Sequence, residues 1–207
     1  MPKTHRRHRL LLAAAAVTAV TAIAPAAARA GVLVASAGSC EQSEVSRPFL
    51  PWADIANYVP APGGACEGGA PGWTLAGAAV VAGNEPWKVR NAADAESLSI
   101  RAAGSATSAA MCVGIEHPTL RFFAKGGDPL DVLRVEVLFE DALGGVHAAP
   151  IGAVPAGSWR PTAPFPVVVN LLPLLPGEHT AVAFRFTAVG TGAWAIDDVY
   201  VDPYARY

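Results

Sequence analysis

Short runs in which apolar and polar residues alternate, each closed off by Gly, Pro, Asp or Ser, recur along most of this chain and restrict it to β structure. The clearest run sets Leu133, Val135, Val137 and Phe139 on one side and Arg134, Glu136 and Glu140 on the other. That is the period of two expected of a strand with one face buried. Leu98/Ile100, Met111/Val113/Ile115, Leu120/Phe122/Ala124 and Val182/Phe184/Phe186 repeat the pattern. Beyond the first 30 residues no stretch keeps helical spacing for more than about two turns. Pro150, Pro155, Pro161, Pro164, Pro166, Pro173 and Pro176 would break any helix after Ala148. With no internal repeat, roughly eight or nine such strands predict an all-β fold, an antiparallel jelly-roll β-sandwich.

Residues 1–30 have a different character. A basic start (Lys3, Arg6, Arg7, Arg9), an apolar run from Leu10 to Ala24 and the small-residue pattern Ala28-Arg29-Ala30 describe a secretory signal peptide, expected to be cleaved after Ala30. The apolar run is shorter than the ~20 residues a membrane-spanning helix needs, so the mature protein is expected to be secreted and extracellular, with no membrane insertion after cleavage. Arg6-Arg7 leaves twin-arginine export open beside general secretion. From Val45 to Pro71 the chain mixes Pro and Gly with Phe49, Trp52 and Tyr58 and shows little periodicity. Residues 31–65 are therefore expected to form an extended N-terminal arm packed on the sandwich, and residues 66–207 the sandwich itself.

The leader holds five of the 15 Lys and Arg and none of the 17 Asp and Glu, which leaves the remainder strongly acidic. Without a basic stripe it offers no surface for a nucleic-acid backbone, so nucleic acid is excluded as a partner and anionic lipid is disfavoured. Cys40, Cys66 and Cys112 in an oxidising destination give one disulfide and one remaining thiol, with three pairings open. A bridge between Cys40 and Cys112 would tie the irregular N-terminal segment to a central strand, a stabilisation on the order of 4 kcal/mol in the chain-entropy model. Cys66 would then be a small buried hydrophobe.

Trp194-Ala-Ile-Asp-Asp-Val-Tyr-Val-Asp202 is a strand with two carboxylates at its centre. Burying an ionised carboxylate is costly unless a cation or strong donors meet it. Under a strict period of two, Asp197 shares a face with Val199 and Val201, at the sandwich edge, where a structural calcium with oxygen ligands would compensate its charge. Glu67 and nearby carbonyls would complete the shell. The alternative is a surface pair hydrogen-bonded to a turn.

Cys66-Glu67-Gly68-Gly69-Ala70-Pro71-Gly72-Trp73 resembles the opening, and Trp194-Ala-Ile-Asp197-Asp198-Val199 the closing strand, of galactose-binding-like and carbohydrate-binding-module-like jelly rolls. The resemblance implies a structural calcium held by Glu67 and Asp197, although Cys66 stands where those families usually have an aromatic residue. Pro48-Phe49-Leu50-Pro51-Trp52, Met111-Cys112-Val113-Gly114, His117-Pro118-Thr119-Leu120-Arg121-Phe122-Phe123, Val137-Leu138-Phe139-Glu140-Asp141 and Asn170-Leu171-Leu172-Pro173-Leu174-Leu175-Pro176-Gly177 resemble a family of small secreted proteins of high-GC Gram-positive bacteria. That second resemblance implies no activity. Its usual Phe at the Cys66 position implies that Cys66 is the unpaired cysteine.

Motifs that concentrate chemistry are missing. No GxSxG nucleophile elbow occurs, and His117, His147 and His179 form no close metal-binding pair. Glu116, Glu136, Glu140, Asp141, Asp197 and Asp198 single out no pair for glycoside hydrolysis. The expectation is a noncatalytic protein. Sugar recognition by a sandwich uses exposed aromatic rings with polar neighbours, and loops of a rigid scaffold are where such residues lie. Trp87, after Asn84-Glu85-Pro86, and Trp159, beside Arg160, fit that description. Asn84, Glu85, Trp87, Trp159 and Arg160 are the expected ligand-binding residues, with carbohydrate or cell-envelope material as partner. The alternatives are a structural or protein-interaction role, marked by an apolar patch or open edge strand, and a hydrolase.

Overall fold

The computed structural model describes residues 45–114, 119–141, 143–167 and 179–202. The leader, Cys40, Glu116 and His117 lie outside them. The described residues form eleven strands: β1 (Val59–Pro60), β2 (Thr74–Ala82), β3 (Glu96–Thr107), β4 (Met111–Gly114), β5 (Thr119–Gly126), β6 (Val132–Glu140), β7 (Val146–Pro155), β8 (Gly157–Pro161), β9 (Phe165–Pro166), β10 (His179–Val189) and β11 (Trp194–Val201). A single 3-10 turn, Leu50–Trp52, precedes them among the described residues. Every pairing is antiparallel. The sheet runs β7-β6-β10-β3-β11-β5-β8, with β2 on β3, β4 on β10, β1 on β11 and β9 on β5, and it curls into the jelly-roll sandwich that the alternation predicts. The strand count exceeds the expected eight or nine, and β1 and β9, two residues each, are too short to carry any period.

Curling is concentrated in the β2–β3 hairpin. Leu98–Ile100 lie between β2 and β11, whereas Ser105–Thr107 lie between β2 and β10, so one hairpin serves both halves of the sandwich. At the corner Gly77 and Gly104 face each other. A methyl group on Gly104 would stand 2.6 Å from the Gly77 carbonyl oxygen and 2.8 Å from that of Arg101. These are backbone atoms of the adjacent strand β2 and of β3 itself, with little freedom to retreat. Gly104→Ala is therefore expected to cost roughly 1–3 kcal/mol, measurable as a fall of several degrees in Tm.

Inward residues of both halves interdigitate in one core. Leu98, Ile100, Phe122, Leu133, Val135, Val137, Phe184, Phe186, Trp194 and Ile196 are all buried in it. Phe122 and Phe186 meet edge to face at 5.0 Å, and Trp73 stacks on Phe186 at 5.9 Å. A second, smaller cluster lies on the outer face of β5 and β11, where Phe123 and Tyr200 are covered by Phe49 and Tyr58. Residues 45–60 thus pack as an apolar strap across the sheet. Ser46 pairs with Tyr58, and β1 pairs with the end of β11. The Cys66 thiol is free and buried, and Cys112 is on β4, which pairs with β10.

Candidate functional site

The closing strand does not keep a period of two. β11 and β5 shift register between Asp197 and Tyr200, and Asp198 adopts a left-handed φ of 50°, a conformation Asp tolerates better than most residues. Val199 amide and carbonyl leave the ladder to bond Gly64 O and Ala61 N. This bulge reverses the alternation. Ile196 before it and Val199 and Val201 after it all face the main core, while Asp197 lies opposite Phe123 on the outer face. The expectation that Asp197 shares the valines' face is corrected: the extra residue moves it to the other side.

On that side Asp197 is fully buried and its carboxylate is occupied. Oδ2 accepts the Glu85 amide at 3.0 Å and Oδ1 the Asp198 amide at 2.9 Å. Glu85, also fully buried, passes the connection on, accepting the amides of Trp87 and, at 2.7 Å, Val89. Two buried carboxylates therefore hold the Asn84–Val89 loop onto β11. Asn84 donates to the Glu85 carbonyl at 3.0 Å. Burial, and then the charge of Asp198, push the Asp197 carboxyl up to about 8.

Loop and strap together set out an aromatic surface. Trp87 stays 45% exposed and rests on Phe123 at 5.6 Å, with Trp52 edge-on to it at 5.0 Å and also against Phe123 at 5.3 Å. Trp159 on β8 packs against the same cluster, one strand away from Phe123, whose register partner is Pro161. The two tryptophans singled out from the sequence thus lie on one face. Lys125 Nζ sits 5.0 Å from the centroid of the Trp159 ring. Arg160 is engaged elsewhere, its guanidinium donating to the carbonyls of Pro155 and Ala156. Trp52, Phe123 and Lys125 were not singled out from the sequence. Phe123 and Lys125 sit inside an ordinary strand, and Trp52 is one of three aromatics in the irregular arm.

Beside this surface opens a cleft of about 350 Å³, lined among others by Pro62, Cys66, Glu67, Arg90, Asp198 and Tyr200. Asp198 is 1% exposed and both its carboxylate oxygens lack any hydrogen-bond partner. Burial, followed by repulsion from Glu85 and Asp94, raises its carboxyl to about 7, with Arg90 opposing and Glu67 adding a little. Asp94 Oδ2 is another buried oxygen without a hydrogen bond, 3.8 Å from the Arg90 guanidinium. Glu67 uses Oε1 to accept the amides of Ala95 and Glu96 at 2.7 and 2.8 Å. Glu67 and Asp198 thus belong to one acidic corner, whereas Asp197 is tied to the Glu85 loop. Among the described residues, no three His, Cys, Asp or Glu side chains lie close enough together to hold a metal ion.

Two further carboxylates weighed for hydrolysis, Glu136 and Asp141, have structural partners. Glu136 accepts from Arg185 at 2.8 Å with Arg134 at 3.5 Å, and Asp141 accepts the Leu143 and Gly145 amides and pairs with His147 at 2.6 Å.

No family model and no curated protein matches the chain. Solved structures with a similar outline include the CBM22-1–GH10 modules of Clostridium thermocellum endo-1,4-β-D-xylanase 10B complexed with xylohexaose, at 14% identity and a TM-score of 0.48, over 72% of this chain and 29% of that one. The C-terminal family 22 carbohydrate-binding module of the same enzyme matches at 18% identity and 0.43, covering 74% of this chain and 99% of the module. TmCBM61 in complex with β-1,4-galactotriose matches at 15% and 0.40, over 68% and 94%. At these scores the likeness bears on neither ligand nor activity.

Proposed function

We propose that this chain is a secreted, noncatalytic binding module for carbohydrate of polysaccharide or cell-envelope origin. The observation that carries the reading is Trp87, an indole left nearly half exposed although its loop is anchored by two fully buried carboxylates. Loops free of a task rarely receive such support, since each buried carboxylate must be offset by several donors. The result is a rigid apolar ring edged by Trp52 and sharing its face with Trp159. A pyranose ring offers C–H groups to such a surface and hydroxyls to its polar margin.

Affinity electrophoresis through gels containing xylan, galactan or polygalacturonate tests this directly. Trp87→Ala and Trp159→Ala combined, with Tm unchanged, are expected to weaken retention by about tenfold or more, corresponding to ~1.4 kcal/mol of lost stacking. Equal retention of the variant and the native protein would overturn the reading. Leu50 and Ile55, both exposed beside Trp52, favour a protein partner as the second reading, and a folded protein retained by no glycan would support it.

A structural calcium is part of the proposal. The two unpartnered, buried oxygens of Asp198 fit a hard cation, which prefers carboxylate and carbonyl ligands. Asp198 and Glu67, at one corner of the sandwich, are the residues that would hold it. Asp197 would contribute indirectly by fixing the bulge between Ile196 and Val199. The ion would supply charge compensation only.

A further inference from the structure

We infer that the aromatic surface takes an anionic glycan, with Lys125 as the residue that selects the charge; the inference rests on the carbohydrate reading above and narrows it. The argument begins with what is left unpaired. Lys125 is exposed, has no ion-pair partner among the described residues, and holds its ammonium over the Trp159 ring. Each carboxylate bordering Phe123 is already committed. Asp54 accepts from Tyr58 and Arg121, Glu85 from the Trp87 and Val89 amides, and Asp197 from the Glu85 and Asp198 amides.

Glu85 and Asp197 are also fully buried and Asp54 is paired with Arg121, so the charge this face exposes to a ligand is the Lys125 ammonium, on a protein whose formal charge is −2 even with its basic leader counted. Lys88, next to Trp87 in the chain, adds a second exposed ammonium that spends only one of its donors, on the Ala92 carbonyl at 3.0 Å.

Placement matters as much as sign. An ammonium lying over an indole covers that ring face, so a neutral sugar could stack there only by displacing a cation–π contact. A sugar stacked on Trp87 with an anionic substituent directed toward β8 would instead gain the Lys125 charge, and Trp159 would keep the ammonium in position. Lysine, a compact point charge, suits one carboxylate or one phosphodiester per sugar unit. Both kinds of polymer present the same chemistry: a ring with an apolar face and an anion beside it.

The test is affinity electrophoresis of the purified protein and its Lys125→Gln variant through gels containing polygalacturonate, fully methyl-esterified polygalacturonate, poly(N-acetylglucosamine 1-phosphate) or neutral galactan. Melting temperature is recorded for both proteins. The expected result is retention by polygalacturonate or poly(N-acetylglucosamine 1-phosphate) that exceeds retention by the neutral polymers, declines with salt, and drops about tenfold in Lys125→Gln at unchanged Tm. Which anionic polymer retains the protein identifies the source of the charge. Equal retention by polygalacturonate and its methyl ester, or anionic retention indifferent to Lys125, overturns the inference. Retention by neutral galactan alone removes the charge selection and leaves the carbohydrate reading standing, whereas retention by none of the four removes both.

Discussion

In protein stripped of divalent cations, Asp198→Asn is expected to stabilise the fold progressively as pH rises from about 4 to 8, by on the order of 4 kcal/mol at the upper end. The direction follows from burial. Asp198 is 1% exposed with no donor on either oxygen, and its carboxyl is raised from 3.8 to about 7 in the fold. A carboxyl with a raised folded value contributes its full stability below the unfolded value and loses it as pH climbs through the folded one. The native protein therefore weakens across that window and the Asn variant escapes the loss. At roughly 2–4 °C per kcal/mol for a chain of this size, the gain at pH 8 is about 10 °C. Calcium should reverse the ranking, because an ion at the carboxylate replaces the missing donors. It is expected to raise the Tm of the native protein through mass action and to leave the variant unmoved. Melting curves at pH 5 and 8, with chelator and with calcium, read all of this. A native protein indifferent to calcium would remove the metal proposal, and a variant no more stable at pH 8 would remove the buried-charge argument.

The contrast between β6 and β11 shows what could be read before any coordinates. β6 has one face in the core and one in partial contact with solvent, so its alternation survives intact in the sequence, and Leu133, Val135 and Val137 face inward as expected. β11 is buried along its whole length, which removes the polar half of the pattern. Two adjacent aspartates were the only sign that something interrupts it. They pointed to the right place, but a period of two carried across the bulge assigned Asp197 to the wrong face, and Asp198, with the open oxygens, was passed over. A left-handed residue inside a strand leaves no periodic trace, and Asp at that point was the available clue.

The aromatic surface was half legible for a related reason. Trp87 and Trp159 stand in loops or short strands among polar neighbours, where an apolar ring is conspicuous. Phe123 follows another phenylalanine within a strand, and only the outer cluster reveals that the two rings face opposite ways, Phe122 into the main core and Phe123 under the strap. The role of Glu85 was likewise hidden. A carboxylate next to a candidate ring reads as a ligand contact, yet this one is fully buried and holds the ring's own backbone. Side chains that support a site from below look, in a sequence, the same as side chains that touch a ligand.

The strap carries the second large effect, and it can be isolated at one residue. Asp54→Ala is expected to cost about 3 kcal/mol, because it leaves Arg121 charged and 93% buried without its counter-ion. Arg121 would keep the bond from Nε to the Thr162 carbonyl at 2.9 Å and its position over the Phe49 ring at 4.2 Å, neither of which supplies an opposing charge. Asp54 meanwhile accepts from Tyr58 Oη at 2.7 Å and the Ala56 amide at 3.0 Å, so the substitution also frees the two residues that turn the strap back toward β1. Burial alone would raise the Asp54 carboxyl, but the bonds from Tyr58, Ala56 and Arg121 outweigh it and hold the carboxyl below its ordinary value. A lowered folded value contributes stability above the unfolded one and loses it as pH falls through the folded one, so the native clamp weakens only in acid below about 4. Asp54→Asn, which keeps an acceptor for Tyr58 and Ala56 without the charge, should fall between native and Ala. The measurable signature is a Tm drop of about 10 °C for Ala together with early proteolysis within residues 45–60, where local opening would expose the backbone. Since Trp52 on the strap stands edge-on to Trp87, glycan retention should decline with the strap even though the Asp54 carboxylate is itself committed to Tyr58 and Arg121. A Tm within a degree of native for Asp54→Ala would mean that Phe49 and Tyr58 hold the strap by apolar contact alone.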